Sequence, residues 1–314
     1  MTSTKTLQSI DVAAEDRKPL LGAIEGGGTK FVCSIGYAPN RLVDEVRIDT
    51  REPHQTMLDV CAFFERQPIV ALGVGMFGPL ELRDGENYGS LLATPKPGWA
   101  GFPFRRYLAK RFPIPIAIDT DVNVAAVGEA RWGAAKGCGV VLYVTVGTGV
   151  GGGVLVRGQP LHGLMHPEIG HIPLPALRNA SGELDRFEGS CPYHGRCLEG
   201  LISGPAILRR TGRRGESLDP DDPVFDWAAR YLGVGLATAV LVLSPERIVV
   251  GGGVMASARL PKVRAALIEA LAGYVVRPEL TRAQVNDYVV APGLGTQSGI
   301  FGAFALAEQA LRTA

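Results

Sequence analysis

Cysteine and histidine are concentrated in one stretch of this chain. Between positions 162 and 200 it reads HGLMHPEIGHIPLPALRNASGELDRFEGSCPYHGRCLEG. Near the end, Cys191, His194 and Cys197 follow a C-x-x-H-x-x-C spacing, and upstream stand His166, Glu168 and His171. Two thiolates with one or two imidazoles form the ligand set of a tetrahedral zinc site, and tight spacing in short loops suits it. Pro192 and Gly195 mark a loop rather than a packed helix. The plain alternative is two unpaired cysteines beside a surface histidine. Three protein ligands and a water would make an open, hydrolytic centre, whereas four would make a closed, structural one. His171, beside the flexible Gly170, is the expected fourth ligand, with His166 as the alternative. On this reading the zinc is structural, pins a long loop, and holds Glu168 and Glu199 in place.

Glycine marks the elements that must surround such a loop. The chain has 41 glycines in 314 residues, about double the ordinary ~7%, and they gather in a few turns. Residues 20–25 read as an apolar strand, followed by Gly26, Gly27, Gly28, Thr29 and Lys30 and a second strand at 31–36. A hairpin tip of this kind exposes several backbone N–H groups and can hold phosphate oxygens without a helix. It is also what an ordinary glycine-rich hairpin looks like. The unit recurs: a strand at 140–146, then Gly147, Thr148, Gly149 and further glycines to Gly153, then a strand at 154–157. Gly147, Gly149 and Gly152 match the dinucleotide fingerprint, but a strand follows where a helix should open, so that reading fails.

Residues 113–119 read as a buried strand that exits into Asp119, Thr120, Asp121, Val122 and Asn123, with a helix over 124–132. Acidic residues there are either helix caps or site carboxylates at the carboxyl end of a strand. A third glycine run, Gly251–Gly253, follows a strand at 247–250 and precedes a helix beginning near Ala256. It suits a nucleotide contact or close helix–strand packing equally well. Helices are expected at 55–66, 104–112, 204–211, 224–243, 260–273 and 299–311. A mixed strand is expected at 40–50, a strand at 69–75, a loop at 91–99, a charged loop at 211–223 and a short strand at 287–290.

Bulk properties narrow the function. The net charge of +1 leaves no electrostatic footprint for nucleic acid or an anionic membrane. The longest apolar run, residues 232–243, is interrupted by two glycines and falls short of the ~20 residues a bilayer needs. Five cysteines is an odd number. Cys33, Cys61 and Cys138 lie in apolar contexts expected to be buried thiols, which fits a reducing cytoplasm. At this length two lobes are expected: a polar, disordered tail over 1–19, a small α/β domain over 20–121 joined by the C-terminal helix 299–314, and a large α/β domain over 122–298 bearing the zinc loop.

The motifs AIEGGGTKF at 23–31, TPKPGW at 94–99, DTDVN at 119–123, VGTGVGGG at 146–153, HPEIGH at 166–171, CPYHGRCLEG at 191–200 and VVGGGV at 249–254 resemble, in order and spacing, the ROK family of repressors, open reading frames and kinases, most closely its fructokinase branch. The resemblance implies an actin-like (ribonuclease H-like) α/β fold, duplicated, with a cleft between two domains. It implies transfer of the γ-phosphoryl group of ATP, with Mg²⁺, to the 6-hydroxyl of D-fructose. Asp121 matches the general base; Glu168, His171 and Glu199 match sugar contacts, joined here by Lys96 and Asn123. Gly27, Gly28, Thr29 and Lys30, with Gly147, Thr148 and Gly149, match the phosphate hairpins, and Gly252 and Gly253 the part facing adenosine. His171, Cys191, His194 and Cys197 match the zinc loop. A homodimer acting on small molecules in the cytoplasm, without nucleic acid or membrane, completes the expectation.

Two positions depart from the family pattern. Glu25 stands where Asp is common, although the longer acid suits the fructokinase branch. Lys96 stands where glucose-specific members carry Asn, which points away from glucose. Kinases for other hexoses remain the alternative, and a sugar-sensing repressor is the rival from another class. Only about twenty polar residues precede the first strand, too few for a helix-turn-helix. A zinc hydrolase would need the open metal position that four ligands deny.

Overall fold

The computed structural model describes residues 19–37, 41–179 and 181–314. Most of the expected N-terminal tail therefore lies outside the described residues. Two five-stranded sheets organise the chain. The first contains β1 (Leu21–Gly26), β2 (Lys30–Tyr37), β3 (Arg41–Asp49), β4 (Ala71–Met76) and β5 (Ile116–Thr120), in the order β3-β2-β1-β4-β5. The second contains β6 (Val140–Val146), β7 (Val150–Val156), β8 (Gln159–Pro160), β9 (Arg247–Gly251) and β10 (Val289–Val290), in the order β10-β9-β6-β7-β8. Read from the other edge, the second order is β8-β7-β6-β9-β10. Each sheet thus starts with an antiparallel hairpin, β1–β2 or β6–β7. The first strand of that hairpin pairs in parallel with the strand that returns after a crossover, β4 or β9. The repeated glycine units of the sequence are the tips of these two hairpins.

The helices are α1 (Pro53–Phe64), α2 (Phe104–Arg111), α3 (Asp121–Trp132), α4 (Leu198–Ile202), α5 (Gly204–Thr211), α6 (Pro223–Leu243), α7 (Leu260–Leu271), α8 (Val285–Tyr288) and α9 (Ser298–Thr313). The central strands read as nearly unbroken apolar runs because both faces are covered. One core lies between the first sheet and α1 and α2, where Phe31 stacks on Trp99 and Phe104. The second is built around α6 and α7. The expected membrane argument needs correcting here. The apolar run extends into a helix of 21 residues, α6, long and apolar enough to cross a bilayer. It instead buries Tyr231, Leu232, Leu236 and Val240 in the second core.

α9 returns from the second sheet to pack on β1, β4 and α3. The approach needs a glycine: a Cβ on Gly73 would stand 1.8 Å from the Ala303 carbonyl oxygen. Replacing Gly73 by Ala should therefore destabilise the protein by about 3 kcal/mol, read as a lowered denaturation midpoint in urea. Glu129 of α3, fully buried, fastens the same junction. Its carboxylate accepts from the N–H groups of Ala134, Gly293 and Leu294 and from the Ser298 hydroxyl.

Several boundaries differ from expectation, the first because glycine in a turn and glycine under a helix look alike in sequence. Gly151, Gly152 and Gly153 belong to β7 rather than to the turn. Gly151 and Gly153 are small because α3 lies across that face, where a Cβ on Gly153 would come within 2.2 Å of the Val122 carbonyl oxygen; Gly152, on the other face, packs against Ile169. No helix opens at Ala256; a 3-10 turn at Ser257–Arg259 precedes α7. Asp287 lies in the single turn of α8, and only Val289 and Val290 form strand. Cys33 and Cys61 are buried, whereas Cys138 is partly exposed.

Candidate active site and metal centre

The carboxyl end of β5 runs directly into α3. Thr120 is the N-cap, its Oγ1 accepting from the Asn123 N–H at 3.2 Å, so Asp121 is the first helical residue rather than the cap. With Thr120 as the cap, the Asp121 carboxylate accepts from the Val122 N–H at 2.9 Å and faces its own backbone N–H. Burial pushes the Asp121 carboxyl up to about 7, and the nearby charges of Glu25 and Glu168 add to this. Glu168 is likewise raised to about 7, by burial and then by Glu199. Glu25 is raised by burial, partly offset by the Lys30 ammonium. Four acids from β1, α3, the loop after β8 and α4 thus share one electrostatic neighbourhood. Such raised carboxyls are what a proton acceptor working near neutrality requires.

Glu199 connects this group to the second hairpin, accepting from the Val150 N–H at 3.0 Å. In that hairpin Gly147 donates to the Gly149 carbonyl, while the Gly147 carbonyl accepts from Gly204. The N–H groups of Thr148 and Gly149 have no acceptor among the described residues. The first hairpin repeats the arrangement. Gly27 donates to Lys30, and Thr50 fixes the Thr29 and Gly27 carbonyls, leaving the N–H groups of Gly28 and Thr29 without acceptors among the described residues. Around Gly28, Gly147 and Gly253 an added Cβ would meet nothing within 4 Å. Free N–H groups beside open space suit phosphate oxygens. Gly252 has a separate reason for its identity. Its φ is +92°, and a Cβ would stand 2.3 Å from the Val146 carbonyl oxygen.

His171 ends a 3-10 turn, Ile169–His171, immediately after Glu168, and Cys197 is the N-cap of α4, which carries Glu199. The ligand atoms of His171, Cys191, His194 and Cys197 all lie within 4.8 Å of one another. His171 Nδ1 is 3.8 Å from Cys191 Sγ and 3.7 Å from Cys197 Sγ, and His194 Nδ1 is 3.8 Å from Cys191 Sγ. A tetrahedron with ordinary zinc–sulfur and zinc–nitrogen bonds has S···N edges of about 3.6 Å. The donor set therefore fits a four-coordinate zinc. His166 is elsewhere, with Nε2 accepting from the Leu80 N–H at 3.1 Å.

Two expected sugar contacts are not placed with the acids. Asn123 is 1% exposed, its Nδ2 donating to Asp119 at 2.7 Å and its Oδ1 accepting from the Val154 N–H. The amide oxygen and one amide hydrogen thus join β5, α3 and β7. Lys96 is half-buried in a turn in which Trp99 donates to its carbonyl. Among the described residues, no hydrogen bond or ion pair joins its side chain to Asp121, Glu168 or Glu199. Asp119, one of the acidic residues noted at the exit of β5, meets His162 at 2.9 Å; the sequence reading missed His162, whose identity carried no signal without the fold.

Comparison with known proteins agrees with this arrangement. The ROK family model matches residues 21–310. A putative fructokinase of Bacillus subtilis is 39% identical over 93% of this chain and 97% of its own length. A fructokinase of Pediococcus pentosaceus is 41% identical over 94% of this chain and its full length. Among solved structures, a ROK family glucokinase from Streptomyces griseus, in complex with glucose and AMPPNP, superposes with a TM-score of 0.72 at 26% identity, covering 92% of this chain and 99% of that one. The duplicated two-sheet architecture is that of the ROK sugar kinases, and the chain belongs to the ROK family.

Proposed function

We propose that this protein is a fructokinase, transferring the γ-phosphoryl group of ATP to the 6-hydroxyl of D-fructose. The substrate assignment rests on its full-length similarity to fructokinases at 36–41% identity. The observation that carries the mechanism is the Asp121 carboxyl, raised to about 7 at the start of α3. Phosphoryl transfer asks the protein for positioning and charge neutralisation more than covalent chemistry. Asp121 takes the proton of the attacking hydroxyl. Glu168 and Glu199 hold other sugar hydroxyls. His171 joins them through Nε2, because its Nδ1 faces the cysteine sulfurs. The free N–H groups of Gly28, Thr29, Thr148 and Gly149 hold phosphates, with Lys30 beside them and Gly252 and Gly253 toward the adenosine. Glu25 is the acid expected to face Mg²⁺ bound with ATP, which would supply charge neutralisation. Zn²⁺ at His171, Cys191, His194 and Cys197 would be structural, fastening the turn that follows Glu168 to the start of α4, which carries Glu199. Residues 20–121 with α9 form one domain and 122–298 the other. A cytoplasmic homodimer belongs to the same proposal, and sedimentation velocity tests the dimer.

The direct test is ADP release with Mg-ATP and a panel of hexoses. Fastest turnover on fructose supports the reading; a faster rate on another hexose moves the substrate, and no ADP from any sugar ends it. The acid–base sign gives a further prediction. A base works only when ionised, so kcat/KM should fall as pH drops below about 7, the position to which burial raises Asp121. Because Asp121 and Glu168 interact, the apparent value belongs to the group. The same raised pKa makes the stability contribution of this carboxyl full at pH below its ordinary 3.8. It is lost as pH rises through about 7. Activity and stability should therefore run in opposite directions across that window, the first read by steady-state kinetics and the second by denaturant titration.

A further inference from the structure

His166 is 5% exposed and lies between partners that belong to different halves of the molecule. Its Nε2 accepts from the N–H of Leu80, in the segment that follows β4 of the first sheet. The ring rests on Gly78, where an added Cβ would come within 3.4 Å of Cε1. The other ring nitrogen, Nδ1, is 3.4 Å from Glu168 Oε1, in the loop that follows β8 of the second sheet. A ring nitrogen that accepts from a backbone amide carries no hydrogen, so the hydrogen of the neutral imidazole is on Nδ1. It is therefore on the nitrogen that lies beside both the Pro167 carbonyl and Glu168 Oε1, and the two acceptors compete for it. His162 makes a parallel connection, its Nε2 2.9 Å from Asp119 Oδ2. The other oxygen of Asp119 accepts from the Thr120 N–H and from Asn123 Nδ2. Segment 162–166 is thus tied twice to the first sheet's half, once beside the strand end that leads to Asp121.

We propose that His166 is a positioning residue for the sugar-binding carboxylate, anchored on the Leu80 amide and presenting Nδ1–H to Glu168. This rests on the reading that Glu168 holds a sugar hydroxyl. The distance of 3.4 Å is long for an N–H···O bond. It shortens when a bound sugar orders the carboxylate, as functional hydrogen bonds do on forming the complex. Leu80, His166 and Glu168 then form one line from the backbone of the first half to the substrate. Sugar affinity is thereby coupled to the contact between the two halves.

Two substitutions separate the ends of that line. His166→Gln places an amide oxygen where Nε2 stood, keeping the Leu80 bond and losing the donor to Glu168. His166→Asn places an amide N–H near the Nδ1 position, keeping that donor and losing the Leu80 bond. The Gln variant should raise KM for fructose about tenfold, with a smaller change in kcat. The Asn variant should recover most of that KM while melting at a lower temperature, and both should retain wild-type zinc. Histidine labelled with ¹⁵N should report a protonated Nδ1 and an unprotonated Nε2 for His166. Equal KM in the two variants, a protonated Nε2, or loss of zinc would each overturn the proposal. A Glu168→Gln variant with unchanged KM would overturn the sugar reading of Glu168 and the proposal with it, while leaving the tautomer result standing.

Discussion

Asp121→Asn lowers kcat by about 10²–10⁴-fold and leaves fructose affinity, measured by calorimetry, within a few-fold of wild type. The amide keeps the shape of the carboxylate and can still accept from the Val122 N–H, so the N-terminus of α3 stays where Thr120 caps it. What it loses is the ability to take a proton from the sugar. Two features of the surroundings favour so large an effect. The carboxyl is desolvated, and Glu25 and Glu168 lie close enough to raise it further, which brings its proton affinity near working pH. Removing those like-charge interactions also relieves repulsion, so the variant should be at least as stable as wild type in denaturant. A variant that kept more than about a tenth of the wild-type rate would rule out Asp121 as the general base.

The second large effect is expected at the metal centre. Cys197 is fully buried, caps α4 through a bond from the Gly200 N–H, and lies two residues before Glu199. Cys197→Ser should abolish stoichiometric zinc, measured by elemental analysis. Metal binding in small structural sites contributes about 10–16 kcal/mol to folding the apo peptide. Here the rest of the second core persists, and only the loop bearing His171, Cys191 and His194 loses its fastening. A loss of several kcal/mol corresponds to roughly 10 °C in melting temperature for a chain of this size. Glu168 immediately precedes the turn that ends in His171, and Glu199 lies in α4, which Cys197 caps, so KM for fructose should rise with the loss of zinc. Chelator treatment of the wild-type protein should reproduce both changes, and added zinc should reverse them. Activity and melting temperature unaffected by complete zinc removal would show that the four ligands do not serve the site.

The metal ligands and the hairpins were legible in the sequence for physical reasons. Cysteine and histidine at tight spacing are rare unless they share a partner, and Cys191, His194 and Cys197 declare most of the centre within seven residues. The fourth ligand was less legible, because His166 and His171 have similar neighbours in sequence. Only the fold places His171 Nδ1 against the sulfurs and turns His166 toward Leu80. The run from Gly147 to Gly153 was recognisable as a hairpin. Its division into a three-residue tip and a strand was not, because that depends on α3 lying across β7.

Legible along the chain, then, were the duplicated strand–glycine–strand units, the acidic exit of β5, the Cys/His set that could hold a metal, and the family to which these motifs belong. These are local patterns, in which residue type and spacing specify backbone geometry or ligand chemistry directly. Tertiary structure decided how each polar side chain is spent. It turned Asn123 inward to Asp119 and Val154 and left Lys96 without a bond to the acids. It used Glu129 to join α3 to the start of α9, and it paired His162 with Asp119 across the two halves. A buried polar group must find a partner or bear the cost of desolvation. When that partner lies in another element, no spacing along the chain reveals it.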